Sequence, residues 1–135
     1  VEFNSYLEGE VHNKTFSEKE EAKLYLYLHV KENGYLKNGI VEFVDANYQV
    51  ETNKISGESI QKVEENKLQL KQINSNQEIT IEVPIRMTEQ NQITQDNFSK
   101  ISKAVLKGTY VNANGKEVEI KKETDLLECL PKKRN

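Results

Sequence analysis

Three ring side chains, Tyr25, Tyr27 and His29, alternate with aliphatic residues along Ala22-Lys23-Leu24-Tyr25-Leu26-Tyr27-Leu28-His29-Val30. Two phenols and an imidazole on one side of a strand offer broad amphipathic contact area at small cost in side-chain freedom, which suits protein recognition. These three are the candidate binding residues. The simpler reading, and the favoured one, is that the rings pair across strands and stabilise the solvent-facing side of a sheet, or that a loop covers them. The other chemistry-bearing residues are dispersed. His12 and His29 lie far apart, and the sequence holds no G-x-S-x-G, no H-E-x-x-H, no phosphate-binding loop and no cysteine pair. No catalytic residue, cofactor or metal is therefore assigned, and the chain reads as non-enzymatic. Asp45, Asn47, Glu51 and Asn53 supply hard oxygen donors of the kind calcium takes. Asp45-Ala46-Asn47 reads better as a turn, in which short polar side chains bond nearby backbone amides.

The elements that must carry these residues are strands. In Ala22 to Val30 one aliphatic face alternates with one polar face, and the same period of two recurs in Glu78-Ile79-Thr80-Ile81-Glu82-Val83-Pro84-Ile85-Arg86-Met87. Pro84 donates no hydrogen bond, which predicts an edge strand or a bulge there. Gly39 to Val44 reads as a strand entered through Glu32-Asn33-Gly34 and Lys37-Asn38-Gly39, where Asn-Gly pairs supply positive φ for tight reversals. Tyr48 to Thr52 and Lys67 to Ile73 read as shorter strands, and Val1 to Val11 as an opening strand broken near Gly9. Ala104 to Val111 and Lys116 to Lys122 flank Asn112-Ala113-Asn114-Gly115, the pattern of a hairpin. Helix signals are limited to Ser17-Glu18-Lys19-Glu20, with capping-box spacing, and Thr94 to Ile101.

Seven to eight short strands separated by turn signals, with no long helix, predict an all-β antiparallel sandwich in a chain of 135 residues, one ordinary domain. The sandwich is assigned to residues 1–124. Residues 125–135 change in character and read as a C-terminal tail or linker. Cys129 is the single cysteine, so no internal disulfide holds the fold. The net charge of −3 comes from interspersed acids and bases, so there is no broad basic field for nucleic acid or anionic lipid, and Lys132-Lys133-Arg134 reads as a solvated end. No apolar run approaches the roughly 20 residues a membrane-spanning helix needs. The chain opens at Val1, in keeping with a processed chain or a piece of a longer one.

Leu26 to Gly34 followed by Leu36-Lys37-Asn38-Gly39-Ile40-Val41-Glu42-Phe43 resembles the strand, Asn-x-Gly-type turn, strand signature of immunoglobulin-like modules in Gram-positive bacterial surface proteins. Leu70 to Val83 is similar to the segment of those modules in which a polar turn precedes a long alternating strand. Asn76-Gln77 stands where many of them have Pro-Gly, and the sequence has no Trp. The resemblance implies an immunoglobulin-like sandwich and an extracellular or cell-surface module, structural or adhesive, with a host or surface protein as partner and neighbouring domains in a longer chain. It also implies a possible lysine-to-asparagine isopeptide crosslink, for which no triad is evident in the sequence. A carbohydrate-binding module is the alternative function, with Tyr in place of Trp as the sugar platform.

Overall fold

A computed structural model describes residues 1–9, 15–16, 21–31, 33–43, 48–57, 59–88, 90–92, 94 and 103–131. In chain order the strands are β1 Glu2–Gly9, β2 Thr15–Phe16, β3 Glu21–His29, β4 Tyr35–Phe43, β5 Tyr48–Val50, β6 Ser56–Gly57, β7 Ile60–Glu64, β8 Lys67–Leu70, β9 Glu78–Met87, β10 Asn91–Gln92, β11 Ala104–Val111, β12 Glu117–Glu123 and β13 Asp125–Pro131. A short 3-10 turn, Thr52–Lys54, separates β5 from β6. Eight of these strands span five residues or more.

The first sheet has the order β13-β1-β3-β9-β5, with β6 also on β9, and the second β12-β11-β4-β8-β7. β1-β3-β9 facing β12-β11-β4 is the arrangement of strands A, B and E against G, F and C in the immunoglobulin fold. β5 to β8 fill the stretch between the C-like and E-like strands. The two faces meet in one core. Leu24, Leu26, Leu28, Ile79, Ile81, Val83 and Ile85 of the first sheet and Leu36, Val41, Leu68 and Leu106 of the second are almost wholly removed from water. Burial alternates along β3 and β9 residue by residue, as the period of two requires. Among the described residues the buried Ser5 hydroxyl finds no hydrogen-bond partner, a cost of about 1–3 kcal/mol.

Several expectations are corrected. β9 is not an edge strand, since it runs between β3 and β5. Pro84 is tolerated because its carbonyl accepts from the Glu51 amide, so its missing N–H points the same way, into the break between β5 and β6 where no ladder bond is needed. Lys37-Asn38-Gly39 does not reverse the chain. Asn38 takes φ 55° inside the continuous β4, and the β4–β11 register slips between Lys107 and Thr109, a bulge within a paired strand. Asn33, at φ 66°, does turn the chain and carries it from the first sheet to the second, as the connection between strands B and C does in the immunoglobulin fold. The antiparallel sandwich forms as expected, with β13 added to its first sheet parallel to β1. Residues 125–131, read as tail or linker, thereby extend the first sheet. Thr124 is the corner between the sheets: its amide donates to the Ala104 carbonyl and its hydroxyl accepts from the Ala104 amide.

The hairpin of β11 and β12 forms as expected, with Gly115 at φ 79° and the Asn112 side-chain oxygen accepting from the amides of Asn114 and Lys116. The helical expectations at 17–20 and 95–101 lie outside the described residues, as do His12, Asp45, Asn47 and Lys132 to Arg134.

Candidate binding face

The outward residues of β1, β3 and β9 fall into rows across the first sheet: Glu2, His29 and Glu78; Asn4, Tyr27 and Thr80; Tyr6, Tyr25 and Glu82; Glu8, Lys23 and Pro84. β3 is the middle strand of the three, so Tyr25, Tyr27 and His29 stand at the centre of this face, each partly exposed. The structure thus gathers all three predicted residues on one surface. It adds two that the sequence reading missed, Tyr6 and Glu82. Both have the outward parity of their strands, and only the pairing of β1 and β9 with β3 brings them to Tyr25.

Tyr6 and Tyr25 stack with ring centroids 4.8 Å apart and planes 14° from parallel. The Tyr25 hydroxyl donates to the Glu82 carboxylate at 3.2 Å, and the Ser56 hydroxyl donates to its other oxygen at 3.3 Å. Lys23 Nζ lies 3.0 Å from the same carboxylate. Glu82 is therefore held below the usual carboxylate range, chiefly by its hydrogen bond from Lys23, against the opposing effect of burial. The Tyr25 phenol is raised, first by burial, then by the Glu8 carboxylate and the bond to Glu82. His29 Nδ1 sits 3.6 Å from Glu2, which also faces Lys31 at 3.6 Å. The Tyr27 phenol is raised, first by burial and then by the nearby Glu78 carboxylate. Cross-strand ring pairing thus joins Tyr6 and Tyr25 while leaving both partly exposed.

Beside the tyrosines, a groove of about 270 Å3 is lined by Glu8, Lys23, Glu51, Lys54 and Pro84 among others. Glu51 pairs with Lys54 at 3.0 Å and with Arg86 at 3.1 Å, and Arg86 reaches Glu21 at 2.7 Å. The Lys54 bond is the main reason the Glu51 carboxyl is lowered. Of the four residues considered as calcium ligands, only Glu51 and Asn53 are described, and Glu51 is held by these cations. Among the described residues, no three His, Cys, Asp or Glu gather as a metal site. Every described lysine is exposed or half-buried, so none lies in the apolar core that an isopeptide triad needs.

Depressed carboxylates stabilise the fold above their unfolded pKa and lose that contribution as pH falls through the lower folded value. Acid unfolding is accordingly expected to draw on Glu82 and Glu51 below the ordinary glutamate value of 4.5. In a pH series of urea midpoints, Glu82→Gln should flatten the slope in that acid range and leave it unchanged near neutrality. An unaltered slope removes Glu82 from the account.

No protein-family model matches this sequence, and no curated protein matches it. Among solved structures, the collagen-binding subdomain of the Enterococcus faecalis surface protein ACE aligns with 92% of this chain and 94% of its own, at 7% identity and a TM-score of 0.47. A likeness that weak brings nothing of that protein's binding to this chain.

Proposed function

We propose that this chain is a non-enzymatic adhesive or structural module of an extracellular or cell-surface protein, joined to neighbouring domains, and that it binds a protein partner through Tyr25, Tyr27 and His29. The observation that carries this reading is the stacked Tyr6–Tyr25 pair beside Tyr27 at the centre of a sheet face. Tyr6 and Tyr25, already held by each other and by Glu82, lose little freedom on contact, so their area is available as binding energy.

The test uses immobilised serum and extracellular-matrix proteins together with a glycan array. Tyr25→Ala and Tyr27→Ala are expected to weaken binding to a protein by about tenfold or more. Losing the stack should lower stability by only about 1 kcal/mol. Protein binding that ignores both substitutions removes this face, no binding at all leaves a spacer, and hits confined to glycans favour the carbohydrate-binding alternative.

A further inference from the structure

We propose that β12 is a self-association edge, pairing antiparallel with β12 of a second copy of this chain and so continuing the second sheet across a two-fold axis. This surface lies on the sheet opposite the tyrosine face. β12 ends its sheet, and six of its seven residues are exposed. Its backbone is set for pairing. The Lys116 carbonyl accepts from the amide of Asn112, the residue after β11, so the alternate residues Val118, Ile120 and Lys122 turn their amides and carbonyls toward β11. Glu117, Glu119, Lys121 and Glu123 therefore turn theirs outward, where no described strand pairs with them, although the far end of β12 approaches the start of β1, with Lys122 Nζ donating to the Val1 carbonyl.

The side chains select the occupant. In an antiparallel pair centred on Ile120, Glu119 of each copy lies opposite Lys121 of the other, giving two pairs of opposite charge. Among the described residues, no ion pair engages either one, and both are exposed. The two positions that would set like charges together are Glu117 and Glu123, and both are already neutralised, by Lys37 and by Lys103 respectively. On the inward side, the same register lays Ile120 against its counterpart and Val118 against the stem of Lys122. Val118, 43% exposed, is the large apolar side chain left uncovered among the described residues. Lysines on an edge strand can also discourage pairing. Here the free charges alternate in sign, which favours a second copy over an unrelated strand.

Sedimentation velocity of the full chain, from micromolar to near-millimolar, is expected to show a reversible dimer. Glu119→Lys alone and Lys121→Glu alone each place like charges opposite one another and should weaken it about tenfold. An equimolar mixture of the two variants should recover a mixed dimer, because both cross-strand pairs again have opposite sign. Lys121→Pro deletes an outward donor that makes no bond inside the chain, so the dimer should vanish with the melting temperature retained. A wild-type chain that stays monomeric throughout overturns the proposal, as does a dimer indifferent to these changes.

Discussion

Leu26→Ala is expected to lower the unfolding free energy by about 3 kcal/mol, the cost of deleting a buried isobutyl group and leaving a partly collapsed cavity. Leu26 has no exposure, sits in the middle of β3, and lies between Ser5 of β1 and Ile81 of β9 in the inward rows. A domain of this size is stabilised by only about 5–15 kcal/mol in all, so the substitution removes a large part of the margin. Urea titration should show the midpoint falling with an unchanged slope, the mark of a stability effect within a two-state transition. The neighbouring Tyr27→Ala should cost much less, since that ring stands on the outer face. Equal losses at the two positions would contradict the assignment of the β3 faces.

Gly34→Ala should destabilise the chain by about 2 kcal/mol through overpacking. A Cβ built at Gly34 comes within 2.1 Å of the Tyr110 hydroxyl oxygen, and that ring packs against the core. The backbone cannot easily withdraw, because the Gly34 amide donates to Ser75 Oγ at 3.0 Å and Ser75 Oγ donates back to the Gly34 carbonyl at 2.6 Å. The ring has to move instead. In a Tyr110→Ala background the same glycine substitution should be nearly neutral. A double-mutant cycle by thermal melting would therefore read a coupling close to the single-mutant cost. Additive effects would show that the close approach is not what requires glycine.

The strands best read from the sequence were those with long uninterrupted alternation. Ala22 to Val30 and Glu78 to Met87 became β3 and β9 almost to the residue, because burial of one face imposes a local period that survives in residue types. β7 escaped notice because Ile60–Glu64 lies at a sheet edge and buries little, so its pattern is weak. β13 reads as a tail for a related reason: a parallel edge strand following directly on β12 carries no hairpin signal. Asn38-Gly39 misled because positive φ serves a bulge as readily as a reversal, and the two differ only in what the next strand does.

The candidate face divides in the same way. Alternation alone put Tyr25, Tyr27 and His29 on one side of a strand, since successive side chains must point to opposite faces. The sequence also determined that this side is polar and that the chain is all-β. It could not specify that Tyr6 stacks on Tyr25, that Glu82 ties Tyr25 to Lys23 and Ser56, or that Pro84 faces a gap rather than an edge. Those depend on which strands pair and in what register, contacts such as that of Tyr25 with Glu82, 57 positions apart. Face is a property of local backbone geometry and is written into each strand. Partnership is decided only when the two sheets close over one core, where a register shift of one residue would carry every leucine and isoleucine of β3 and β9 into water.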